Sequence, residues 1–206
     1  MSFRRSGKRG QPSAALRLLL LALFFLCGVC LGQVLAGRVP AETGQELSAY
    51  LRGYLEADAP VTPEAVLSAL LLYVRYPLLA ALLGFASVGV LLLPGVTVMF
   101  GLFLSFSVSC FAAAFGSQGV LLALAALGPR CLVTLPCYFL LAAPSWESAA
   151  ALASLSFGRG RRAAPVSYGS GWLTRTGVCC LILLAGVCAE LLCVPPLLRM
   201  ALGLVF

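Results

Sequence analysis

From Pro77 to Ala143 the chain carries one charge, Arg130. Its only punctuation there is Pro94-Gly95, Gly116-Ser117-Gln118-Gly119 and Gly128-Pro129. Cut at the first two breaks, the block gives segments of about 17, 21 and 25 residues, where ~20 helical residues cross a hydrocarbon core ~30 Å thick. Lipid offers backbone groups no hydrogen bonds, so each segment is expected to be a helix. The rest of the composition agrees. Of 206 residues, 61% are hydrophobic and 10% charged, against roughly 25% charged in soluble domains.

The fold expected is therefore all-α: one polytopic membrane domain with a bundle of about five transmembrane helices. A basic cytoplasmic N-terminus, 1–17, precedes a first crossing at 18–36. An extracytoplasmic loop, 37–76, leads to crossings at 77–93, 96–115 and 119–143. A second basic cytoplasmic loop, 144–175, precedes a fifth crossing at 176–198 and a short end at 199–206. The first apolar run is about 19 residues long, enough to span, and it lacks a clear small-x-small cleavage site. It is read as an uncleaved crossing rather than a signal peptide.

Orientation follows the cations. Arg4, Arg5, Lys8, Arg9 and Arg17 lie at the N-terminus, and Arg159, Arg161, Arg162 and Arg175 lie in the 144–175 loop. The 37–76 loop sets five acids against three arginines. Positive charge stays on the cytoplasmic side, which places both basic segments inside. The net charge of +7 reads as orientation charge, and no nucleic-acid partner is expected.

The outer loop suggests two short amphipathic helices. Leu47, Tyr50, Leu51, Tyr54 and Leu55 recur at helical spacing. Leu47, Leu51 and Leu55 are candidates for docking a partner, or for lying on the membrane surface. Thr62-Pro63-Glu64 looks like the start of a second helix. That helix reaches Tyr73, which with Tyr76 suits an interfacial position.

Within the first crossing, Gly28 and Gly32 stand four apart, a spacing that lets another helix approach closely. In the fourth, Pro129 and Pro136 stand two turns apart, each freeing a carbonyl four residues back. Two ionisable residues fall at depth, Arg130 and Glu190. Either alone costs ~2.5–3.5 kcal/mol at a bilayer centre on insertion scales. They are expected to pair, or to reach carbonyls freed by the prolines. The functional alternative is an ion or proton path.

Several classes drop out. The sequence has no histidine, which removes histidine triads and histidine metal sites. It has no G-x-x-x-x-G-K-[ST] phosphate loop. Its nine cysteines all lie in apolar runs. Cys27-x-x-Cys30 sits mid-helix without a third ligand, so the cysteines read as small apolar filler. No catalytic set, cofactor or metal is expected.

At this point the residues resemble the stage II sporulation protein M family, integral membrane proteins of endospore-forming bacteria. Phe25-Leu-Cys-Gly-Val-Cys-Leu-Gly32, Glu46-Leu-Ser-Ala-Tyr-Leu51 and Tyr73-Val-Arg-Tyr76 carry the likeness in order. The broader family often shows Pro-His-Gly, a glutamate, then Pro-Ala in the fourth crossing. Here Pro129 and Pro136 keep their places. Arg130 stands for the histidine, Cys131 for the glycine, Thr134 for the glutamate and Cys137 for the alanine. Ala189-Glu190 followed by Val194-Pro195 resembles the family pattern of the fifth crossing.

The resemblance implies a role in forespore engulfment. The family anchors stage II sporulation proteins D and P, two peptidoglycan-degrading enzymes, in the engulfing mother-cell membrane. It implies a non-enzymatic scaffold whose partners are those hydrolases and the membrane lipid. The alternative is a permease-like subunit driven by a separate ATPase.

Overall fold

The computed structural model describes residues 14–38, 63–156 and 170–205, and among these it is helical, with no strand. In chain order the helices are α1 (Ala14–Ala36), α2 (Pro63–Leu83), α3 (Gly89–Phe115), α4 (Ser117–Ser156) and α5 (Ser170–Val205). Four of them, α1, α3, α4 and α5, are long and apolar enough to cross a membrane. This marks the chain as a multi-pass membrane protein. The apolar part of α2 is shorter, Leu70–Leu83; at about 1.5 Å per residue it covers about 20 Å.

The helix ends differ from the sequence reading in a consistent way. The segment 77–93, expected as one crossing, is divided between α2 and α3. Pro94-Gly95, expected as a turn, lies inside α3. The chain turns instead at 84–88. Two glycines make that turn possible. A Cβ on Gly84 would come within 2.9 Å of the Ser145 side chain, and one on Gly89 within 2.0 Å of the Leu83 carbonyl oxygen. Gly95 has nothing within 4 Å of its Cβ direction, so nothing there demands a bend. A proline removes one backbone bond, and a helix in a bundle survives that loss when neighbours cover it.

The other helices also overrun the expected limits. α4 continues past Pro144 to Ser156, through residues expected in the cytoplasmic loop. α5 continues through Pro195-Pro196. α3 does stop where the chain must reverse. Gly116 has φ +64°, a left-handed conformation that glycine adopts without a steric penalty. Leu47, Leu51 and Leu55 lie outside the described residues.

α4 is the centre of the bundle. It packs on α2, α3 and α5, while α1 packs mainly on α3. Adjacent residues of α4 enter two different cores. Tyr138 and Ala142 join Leu21, Ala80, Leu93 and Phe100. Cys137 and Leu141 join Tyr73, Cys179, Leu183 and Val187. The first core is an aromatic lattice. The Tyr76 and Phe100 rings stack at 4.5 Å, and Phe100 meets Phe25 and Tyr138 edge-on at 5.8 and 5.2 Å. Inside it, the Tyr138 and Thr97 hydroxyls share a hydrogen bond of 2.7 Å, and Thr97 also donates to the Leu93 carbonyl.

α1 and α3 run parallel and nearly touch. Gly28 faces Val98, and Gly32 faces Leu102 and Ser105. From the other side, Gly101 faces Phe25 and Val29. At its base α1 is tied to α4 by an ion pair between Arg17 and Glu147, the Arg17 side chain being almost wholly buried.

The second core gives a direct test of this packing. The Cys137 and Cys179 thiols face each other between α4 and α5. Consider a variant retaining only these two cysteines, with a protease site inserted after Arg162. A short bifunctional thiol reagent is expected to hold the two fragments together on a denaturing gel. Moving one cysteine to Ser148 is expected to abolish the link. Separation of the fragments in the first variant would contradict the α4–α5 register.

Candidate functional site

Beside the aromatic core, α2, α3 and α4 enclose a cleft of about 190 Å³, open on one side. Each helix contributes one stripe at helical spacing. α2 supplies Leu72, Arg75 and Tyr76; α3 supplies Phe100, Phe103, Leu104 and Ser107; α4 supplies Leu127, Arg130, Cys131 and Thr134. Positions i, i+3, i+4 and i+7 share a helix face, so the cleft follows from where three faces meet.

Two guanidinium groups enter this apolar wall. Arg75 lies 4.5 Å from the Tyr76 ring centroid and 5.9 Å from that of Phe103. It also donates to the Tyr76 hydroxyl at 2.7 Å. Arg130 lies 5.5 Å from the Tyr73 ring centroid. Both positions suit the attraction of a cation to an aromatic face. Two of the cleft hydroxyls, those of Ser107 and Thr134, are already engaged as donors. Ser107 donates to the Phe103 carbonyl at 2.8 Å, and Thr134 to the Arg130 carbonyl at 2.6 Å.

Arg130 and Glu190 do not form the expected ion pair. Among the described residues the ion pair is Arg17–Glu147. Tyr73 stands between the two charges, its ring under Arg130 and its hydroxyl beside the Glu190 carboxylate. The hydroxyl and Glu190 Oε2 are both buried, yet neither completes a hydrogen bond. Tyr73 reaches this position because Gly186 of α5 has no side chain. A Cβ there would come within 3.0 Å of Tyr73 Cε1 and 2.9 Å of Val133 Cγ1. The Arg130 guanidinium is placed over the Tyr73 ring, while Pro129 and Pro136 lie within α4.

The cleft has a defined depth. Arg130 and Glu147 lie on the same helix, about 25 Å apart at about 1.5 Å per residue. Arg17–Glu147 thus marks one polar level, and Arg75, Arg130 and Glu190 mark another. The spacing is close to that of a hydrocarbon core, ~30 Å. Arg130, read from sequence as lying at depth in its crossing, sits at the second of these levels. Because Gly32 faces Leu102 and Ser105, α1 ends at Ala36 beside the part of α3 that lines the cleft.

Gly28 and Gly32 are buried against α3 of the same chain. The helix that their spacing lets approach is α3. Sequence reasoning gave Arg75 no site role and read Tyr73 as an interfacial aromatic rather than a buried one. Both were placed in the outer loop, although Thr62-Pro63-Glu64 does signal a helix start. Extending that helix through Pro77 would have carried both into the bundle. No known protein family matches the chain, and no curated protein or solved structure shows significant similarity to it.

Proposed function

We propose that the chain is a non-enzymatic membrane scaffold that anchors peptidoglycan hydrolases of the stage II sporulation D and P type in the engulfing membrane. There it positions them for septal wall thinning and forespore engulfment. The resemblance in the order of motifs motivates this role. The observation that carries it is the filled centre of the bundle, where Leu21, Leu93, Phe100 and Tyr138 pack together with almost no exposed surface. Close packing of that kind suits a rigid platform. The membrane then supplies the anchoring, and the hydrolases supply the chemistry.

A strain lacking the gene is expected to complete the asymmetric septum and stall before engulfment, with its hydrolases mislocalised. The purified chain is expected to leave peptidoglycan uncut. Normal engulfment with correctly placed hydrolases would refute the scaffold reading. The second reading, a permease-like subunit of an ATPase-driven transporter, is favoured by one feature, the arginine-lined cleft. It would take first place on that result.

A further inference from the structure

We infer that the cleft between α2, α3 and α4 is a binding site for an anionic phospholipid. Its headgroup phosphate sits between Arg75 and Arg130, and an acyl chain runs out over Leu72 and Phe103.

Charge motivates the ligand. Among the described residues, two cations line one apolar cavity and no carboxylate lines it with them. Glu190 lies on the far side, reaching Tyr73 from α5. Two guanidiniums beside one cavity attract a counter-charge, and a phosphate accepts from guanidinium groups in a two-pronged geometry. With the Ser107 and Thr134 hydroxyls already donating to the helix backbone, the arginines and the Tyr76 hydroxyl, which accepts from Arg75, are left to supply the donors. This favours a charged phosphate over a neutral polar solute.

Shape and depth select a lipid. The cleft, about 190 Å³ and open on one side, has room for a phosphate and glycerol but not for two acyl chains. Leu72 and Phe103 at its mouth are 41% and 45% exposed, an apolar track for a chain to follow. The arginines lie about 25 Å along the bundle from the opposite polar level, at about 1.5 Å per residue. At that spacing they meet headgroups while the leucines and phenylalanines meet tails.

The test uses the purified full-length chain, delipidated in detergent and titrated with dioleoylphosphatidylglycerol. Saturable binding of about one lipid per chain is expected, with a raised melting temperature. Dioleoylphosphatidylcholine, inorganic phosphate and oleate are expected to bind much more weakly. Replacing both arginines by glutamine, Arg75→Gln with Arg130→Gln, is expected to lower affinity about ten-fold or more, as loss of charge-assisted bonds does. Arg175→Gln removes an exposed charge at the other end of the bundle, near the Trp172 that meets Phe85, and is expected to leave binding unchanged. If the double variant does not fold, Ser107→Trp fills the cleft with both arginines kept, and is expected to reduce binding similarly. Undiminished binding by a folded Arg75→Gln/Arg130→Gln or Ser107→Trp variant overturns the proposal. Equal binding of phosphatidylcholine overturns the need for an anion. Equal binding of phosphate alone, or of oleate, overturns the phospholipid as occupant. The scaffold role does not depend on any of these outcomes, since engulfment is scored separately.

Discussion

Replacing Gly28 and Gly32 together by leucine is expected to detach α1 from α3 and leave little folded protein. A Cβ at Gly28 would lie 2.1 Å from the Val98 carbonyl oxygen, and one at Gly32 2.5 Å from that of Leu102. Both obstacles are backbone atoms, so no rotamer change relieves them. Overpacking of an ordinary core costs about 1–3 kcal/mol per site, and two sites that force helices apart should reach or exceed the upper end. Lipid tails are as apolar as leucine, so little drives a separated pair back together. Insertion itself should persist, because leucine keeps α1 apolar. Gly95→Leu and Gly177→Leu are the controls, since nothing lies within 4 Å of either Cβ direction. Size-exclusion profiles and protease resistance in detergent measure the outcome. Wild-type behaviour of the Gly28→Leu/Gly32→Leu variant would show that α1 does not dock on α3 through these residues. The same geometry assigns the pair to packing within the chain.

The contrast among glycines explains which parts of this fold were legible in the sequence. The long block with its single charge required helices in a membrane, and that conclusion needs only composition and the cost of unpaired backbone groups. The placement of turns needs more. Gly84, Gly89 and Gly95 are indistinguishable as letters. Gly84 matters because Ser145, far along the chain, comes against it, and Gly89 because the Leu83 carbonyl does. Pro94 looked like the stronger break because its chemistry is local, yet a bundle tolerates a single lost bond.

The ion pairs follow the same logic. Arg17 reads as one more orientation charge at a basic N-terminus. Its partner Glu147 is 130 positions away, and only the antiparallel docking of α1 against α4 brings them together. Arg130 and Glu190 were visible as costly intramembrane charges, and pairing them was the economical inference. Tyr73 was not visible in that role. Its letter says interfacial aromatic as readily as buried wedge, and the choice depends on Gly186 making room for it. The cleft was hidden for a similar reason: its three stripes are each ordinary faces of apolar helices, and only their convergence creates a site.

Tyr73→Ala is expected to be the most damaging single truncation in the second core. The side chain is fully buried, packed on Gly186 and Val133 with Arg130 over its ring. Removing a large buried aromatic side chain costs about 3–5 kcal/mol through lost contacts and the cavity left behind. Tyr73→Phe removes only the hydroxyl, which completes no hydrogen bond. Deleting an unsatisfied buried group is expected to cost less than about 1 kcal/mol, or to stabilise. The ring is then the structural element, and the hydroxyl a neighbour of Glu190. With no direct ion pair between them, Arg130→Leu and Glu190→Leu are expected to couple by less than about 1 kcal/mol in a double-mutant cycle. A direct pair would instead show strong recovery in the double variant, because losing one partner strands the other. Thermal denaturation in detergent of the two Tyr73 variants and the three members of the cycle reads every comparison. Equal destabilisation by Tyr73→Phe and Tyr73→Ala would assign the work to the hydroxyl. Strong recovery in the double variant would place Arg130 and Glu190 in direct contact.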